Sequence, residues 1–320
     1  MQTICATKIS IVLRTMSEQK PPDMTKAAGM CPHSNFPDSC QACRGEQKRD
    51  PKELLLTPEE ERAESERRGP PPYLISARAG DREITVVGTK HTNNLAEVAE
   101  MVSVFEESDP DVVIVEGQPL EKLFPGKSIE EIRAMKPEEV IDKEEQAYMA
   151  WLALQTGKEL QYWDLSTAEQ IRRVLELKDE KTGQQKYNSG QIAEWIVTYG
   201  IWKIYERGDQ PSHEKLQEVV QIGMPGIEEL DIDLSYENVD AILRKYGSSM
   251  QDDQEHFKEI AFNSSMHAVV RDMIIIRDRH AIEVLADAKK KYKKVFATAG
   301  GGHTLTWEPA LKNIYQVENK

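Results

Sequence analysis

"VFATAGGGHTL" (residues 295–305) is the stretch whose reading decides the fold. An apolar run of strand-forming residues meets three glycines, and His303 follows at once. The chain has only seven histidines, so one placed directly behind the end of a buried strand calls for a reason. A second stretch, "ITVVGTKHTNN" (84–94), repeats the order of apolar strand, glycine, two residues and histidine, with Gly88 and His91 in those places.

Two further runs read as strands of the same kind. "PDVVIVEG" (110–117) is short and continuously apolar, the pattern of a strand buried on both faces, and ends in Glu116. "GKELQYWDLS" (157–166) ends in Asp164. "YLISAR" and "REITVVG" flank Ala79–Asp81 as a hairpin. Between the strands lie helical patterns: "NLAEVAEMVSVFEE", a region over about 128–156, "TAEQIRRVLEL", and a largely helical 188–292. A short helix carrying Trp307 and Leu311 is expected after the last strand at 294–299. Strands alternating with helices predict an α/β domain with a mainly parallel sheet, flanked by helices and carrying a large helical insertion or cap.

Ligands of open α/β sheets bind beyond the carboxyl ends of the strands. His91, Glu116, Asp164 and His303 are therefore expected on one rim. Imidazole and carboxylate together are ligands for a divalent transition metal, with manganese, cobalt, iron and zinc all suited. The same residues without metal serve acid–base chemistry. Gly88 and Gly300 let the backbone approach a ligand or the other histidine loop. Asp164 has a second reading as a helix N-cap before "LSTAEQ".

Residues 1–67 read as a flexible leader and 68–320 as the folded domain. The leader ends in a charged helix, "LTPEEERAESERRG" (56–69), with Thr57 as N-cap, Pro58 in its first turn and Gly69 as its stop. All four cysteines lie in the leader, and Cys31, His33, Cys40 and Cys43 form a candidate zinc cluster separate from the strand ends. A net charge of −14 argues against a nucleic-acid partner, which needs a basic footprint. "ICATKISIVL" (4–13) is too short to span a bilayer and lacks the marks of a signal peptide, and Met16 or Met24 are alternative starts. A cytoplasmic location is the resulting expectation. "KKKYKK" (289–294) reads as the basic end of a helix, and the aromatic residues of "EWIVTYGIWKIY" (194–205) as packing.

The paired Gly-x-x-His motifs with a strand-end glutamate between them resemble the TraB/TIKI family, related to the erythromycin-esterase-like and ChaN-like haem-binding proteins. The resemblance spans about residues 82–315. It rests on "VVGTKHTNN", "VVIVEGQP", "GKELQYWDLSTAEQIRRVL", "IIIRDRHAIEVL" and "VFATAGGGHTLTWEPAL". The chain departs from the family at Thr306, where a glycine is usual, and in the continuation after Glu116. The resemblance implies a metal-dependent hydrolase acting on a peptide or ester bond. His91, Glu116 and His303 would hold the metal or work on a bound water, and Arg277 would stabilise an oxyanion or orient Glu116. The alternative it implies is a non-catalytic binder of haem or a small peptide in the same crevice. Arg277 also has an ordinary reading, an ion pair with Asp278, Asp272 or Glu283 on its own helix.

Overall fold

The computed structural model describes residues 50–316 apart from 118, 251, 253–256 and 258–263. The cluster Cys31, His33, Cys40 and Cys43 lies outside the described residues. Five strands form one sheet: β1 (Tyr73–Ala79), β2 (Arg82–Thr89), β3 (Val112–Val115), β4 (Glu159–Tyr162) and β5 (Lys294–Gly300). Their spatial order is β1-β2-β5-β3-β4. β1 and β2 are an antiparallel hairpin, and every other pairing is parallel. The last strand in sequence is thus central, between two strands read more than 180 residues earlier. A chain element inserted there must be apolar on both faces, and Val295 to Gly300 are all buried.

Side-chain alternation divides the core in two. Ile84, Val86, Val112, Ile114, Val295 and Ala297 point to one face. Val87, Val113, Val115 and Phe296 point to the other. This is the period of two that a pleated strand imposes. Each such buried valine, isoleucine or phenylalanine contributes about 1.5–3 kcal/mol. The second face is covered by α2 (Leu95–Ser108) and α6 (Glu144–Thr156), with the short α3 (Leu120–Leu123), α4 (Ile129–Arg133) and α5 (Pro137–Ile141) between them.

The first face is covered by α11 (Ser264–Lys291) and α12 (Gly301–Gln316). The expected short helix after β5 is therefore a full 16-residue helix. Its glycines and Pro309 read locally as breakers, but Trp307, Leu311 and Tyr315 are completely buried, and that packing overrides propensity. The helical cap has a core of its own, built by α7 (Thr167–Leu175), α8 (Ser189–Glu206), α9 (His213–Gly223), α10 (Tyr236–Lys245) and the first half of α11. Ile276 belongs to the cap core and Ala281 to the sheet core. Arg277 and Asp278 fall at the junction of the two.

The compact unit begins at Asp50, so residues 50–67 belong with the body and not with the leader. Leu56 N–H donates to the Thr306 carbonyl at 3.2 Å, and Lys52 Nζ donates to Glu283 at 2.8 Å. α1 (Pro58–Arg68) starts with a complete capping box, Thr57 and Glu60 satisfying each other's backbone N–H groups. It packs on α12, with Arg68 paired to Glu308. No helix among the described residues is long and apolar enough to cross a membrane.

Candidate functional site

Register places the four strand ends side by side. Thr89 of β2 is the partner of Gly300 of β5, Ile114 of β3 is the partner of Ala297, and Val115 is the partner of Tyr162 of β4. The residues just beyond them come together in one cluster, where the sequence places the ligand crevice.

Glu116 leaves β3 into a turn that Gly117 closes at φ +93°. Its Oε2 accepts the Gly300 N–H at 2.7 Å, and its Oε1 accepts from Arg277 Nη2 at 2.8 Å. The same guanidinium grips Asp164, Nε to Oδ1 and Nη2 to Oδ2, both at 2.8 Å. Arg277 thus pairs with residues from β3 and β4, not with Asp278, Asp272 or Glu283. Burial acts to lower its pKa, but Asp164 and Glu116 outweigh that and hold it above the usual arginine value. The guanidinium carbon lies 5.4 Å from the centre of the buried Trp163 ring. Asp164 does not cap the following helix, because Ser166 does.

His303 enters from the first turn of α12. Its Nδ1 lies 2.6 Å from Asp278 Oδ1, which also accepts the Trp307 indole N–H at 2.6 Å. Asp278 is only 2 % exposed. An acceptor at Nδ1 sets that nitrogen as the protonated one in the neutral ring, so Nε2 carries the lone pair. That Nε2 stands 4.0 Å from Glu116 Oε1.

His91 repeats the arrangement from the other side. It sits in the left-handed region, φ +56°, a costly conformation for a residue with a Cβ. Its Nδ1 lies 3.1 Å from Oε1 of the wholly buried Glu145. Glu145 also accepts from Thr89 Oγ1 at 2.6 Å, Thr92 N at 2.8 Å and Gln146 Nε2 at 3.3 Å. Burial pushes the Glu145 pKa up, but the bonds from His91, Thr89 and Thr92 outweigh it and the carboxyl is lowered overall. The bond from Glu145 raises the His91 pKa above the ordinary imidazole value, with Glu116 and Glu144 adding to it.

The glycines now have distinct reasons. A Cβ on Gly300 would lie 2.9 Å from His91 Nε2 and 3.7 Å from Glu116 Oε2. On Gly301 it would meet the Tyr73 ring at 3.1 Å and the Thr89 carbonyl at 3.3 Å. On Gly302 it would meet Glu61 Oε1 at 3.4 Å. On Gly88 it would meet Thr304 Cβ at 2.8 Å, so that glycine lets α12 lie against β2.

His91, Glu116, His303, Arg277, Asp164 and Gly300 therefore share one crevice, with Gly88 supporting it from below. Among the described residues, the one group of three whose metal-binding atoms all lie within 4.8 Å of each other is His91, Glu144 and Glu145. Glu145 is already committed to four donors there, which makes it the holder of His91. His91, Glu116 and His303 are spread more widely. Donors on a tetrahedral ion at about 2.0–2.2 Å stand closer together than that, so the three would have to move inward to hold one. His91, whose side chain is 46 % exposed, has the freedom to move.

Sequence reasoning did not find Glu145 or Glu61. "KEEQAYMAW" (143–151) reads as an ordinary acidic first turn, and Glu61 as one charge on a solvated helix. Both reach the crevice through packing of distant elements, which leaves no local signal. Comparison with protein-family models, with curated proteins and with solved structures finds no match for this chain.

Proposed function

We propose that the crevice is the active site of a hydrolase that cleaves a peptide or ester bond with the help of a divalent metal held by His91, Glu116 and His303. One observation carries this reading. Two imidazoles from opposite ends of the domain each have Nδ1 tied to a buried carboxylate, and each turns Nε2 toward the Glu116–Gly300 corner. Metal-binding histidines are held in this way by an outer carboxylate, which fixes the tautomer and raises the basicity of the free nitrogen. The donor set, two neutral imidazoles and a carboxylate, fits manganese, cobalt, iron or zinc. The motif resemblance to TraB/TIKI proteins points the same way.

An ion held there would supply an acidified water and a Lewis acid for the scissile carbonyl. The rest falls to the chain's own side chains. Glu116, whose oxygens accept from Arg277 and the Gly300 N–H, would be the carboxylate that holds the ion; with no ion bound the same carboxylate would instead take the proton of the attacking water and return it to the leaving amine or alcohol. Arg277 spends Nε and Nη2 on carboxylates, and its Nη1 makes no hydrogen bond among the described residues. That nitrogen is the donor for the developing oxyanion. Asp164 and Trp163 keep the guanidinium in place. The substrate is a peptide or small molecule.

The test is turnover of simple peptide and ester substrates by the full chain, before and after chelation and re-addition of manganese, cobalt or zinc. Hydrolysis that is lost with the metal, and absent in folded His91→Ala and His303→Ala, supports the proposal. Turnover that survives both overturns the metal. Absence of turnover together with a haem absorption band that needs either histidine points to a ligand carrier instead.

A further inference from the structure

Among the described residues, Glu61 and Glu144 are the carboxylates named at this site that make no side-chain bond, and of the two Glu144 is exposed while Glu61 is partly buried. Glu116 and Asp164 share Arg277, Asp278 holds His303, and Glu145 holds His91. Glu61 accepts no hydrogen bond and closes no ion pair among the described residues. It is half-buried, with Oε1 directed at the backbone of Gly302, one residue before His303. His303 and Asp278 are both near enough to act on it electrostatically. Burial pushes its pKa up, and the nearby charges of Arg62 and His303 offset only part of that.

Its placement is built. α1 is capped by Thr57 and Glu60, tied to α12 by Arg68–Glu308, and anchored to β1 by Ser65 Oγ and Tyr73 OH at 3.2 Å. The carboxyl lies beside Gly302, 3.4 Å from where a Cβ of that residue would stand. An isolated helix of 11 residues is marginal, so this packing is what holds Glu61 at the crevice edge. Leaving a desolvated carboxylate unpartnered has a free-energy cost, and a cationic ligand group removes it.

We propose that Glu61 is a specificity-determining residue of the crevice, accepting a primary ammonium group of the bound molecule, such as a free amino terminus beside the scissile bond. This rests on the crevice being a ligand site, as argued above, but it is read by binding and not by turnover. Calorimetric titration of the full chain with leucinamide and with N-acetyl-leucinamide gives the test. The probes differ in charge at one nitrogen. Wild type binds leucinamide about tenfold more tightly, the usual worth of one charge-assisted contact. Glu61→Gln brings the ratio close to one, while Glu66→Gln, the same charge change on an exposed turn of α1, leaves it as in wild type. Thermal unfolding of both variants checks that α1 is still docked. An equal affinity for the two probes in wild type, no binding of either, or an unchanged preference in a folded Glu61→Gln variant overturns the inference. Preference for the amine without hydrolysis of any substrate sinks only the hydrolase. Chelator-sensitive hydrolysis without amine preference sinks only the role of Glu61.

Discussion

One added methyl group has opposite consequences at Gly88 and at Gly300. At Gly88 the new Cβ would lie 2.8 Å from both Cβ and Oγ1 of Thr304 and 3.1 Å from its Cγ2. Thr304 is wholly buried, and its backbone belongs to α12, which carries Trp307, Leu311 and Tyr315 in the sheet core. The clash cannot be relieved by rotating one side chain. α12 must shift away from β2, and overpacking of this kind costs about 1–3 kcal/mol. At Gly300 the contacts are His91 Nε2 at 2.9 Å and Glu116 Oε2 at 3.7 Å. His91 is half exposed and swings out by several tenths of an ångström into solvent. Neither glycine has a positive φ, so alanine is also credited with about 0.4–1 kcal/mol from a less mobile unfolded chain. Gly300→Ala should therefore unfold in urea within about 1 kcal/mol of wild type, while Gly88→Ala loses clearly more. Ligand binding at the crevice shows the reverse order. Gly300→Ala moves the imidazole off the Glu116 corner and weakens metal uptake, and Gly88→Ala, where folded, retains it. Equal destabilisation by the two, or undiminished metal uptake by Gly300→Ala, refutes the assignment of Gly300 to the site and Gly88 to the scaffold.

Two other outcomes follow from the site's charges. Arg277→Met leaves Glu116 and Asp164, whose side chains are 11 % and 17 % exposed, without their cation, and should cost about 3–5 kcal/mol in urea unfolding. Combining it with Glu116→Gln and Asp164→Asn should recover much of that loss, and a single-variant loss below about 1 kcal/mol would place the ion pair among weak surface contacts. In the metal-free chain the His91 ring, followed by its NMR shift, should titrate above the ordinary value of about 6.5, and Glu145→Gln should bring it down. The folded-state value is the raised one, so the stabilisation from the His91–Glu145 pair is full below about pH 6.5 and fades as the pH climbs through the His91 midpoint. A His91 titrating at or below 6.5 contradicts the pairing.

Much of the sheet was legible because buried strands write a plain pattern. β5 reads as 294–299 and extends to Gly300, and "VVIV" is β3 in full. The hairpin and the rim of strand ends were likewise visible, and with them His91, Glu116, Asp164 and His303. What was not legible is how those residues are held. Arg277 reads locally as a partner of helix neighbours, and only the crossing of α11 between cap and sheet turns it toward Glu116 and Asp164. Glu145 looks like the acidic first turn of α6, and its carboxylate is taken up by Thr89, His91 and Thr92, 53 to 56 residues earlier in the chain, which no local pattern announces. Gly301 and Gly302 lie behind a strand end where a turn is ordinary, but they open α12, and at Gly301 a side chain would crowd Tyr73 and the Thr89 carbonyl. Residues 50–67 read as leader by charge and composition. Their place in the body rests on single long-range bonds such as Leu56 N–H to Thr306, which have no periodicity to detect.

The central claim is that two Gly-x-x-His strand ends and Glu116 build one metal site. The direct measurement is elemental analysis of the full chain, with Cys5, Cys31, Cys40 and Cys43 replaced by serine so that no thiol contributes. The protein is incubated in turn with manganese, cobalt, iron and zinc and then desalted. The account predicts about one tightly held ion per chain for at least one of these metals, lost in both His91→Ala and His303→Ala while each variant keeps its circular dichroism spectrum. No retained ion with any of the four, or an ion retained by either folded histidine variant, contradicts it.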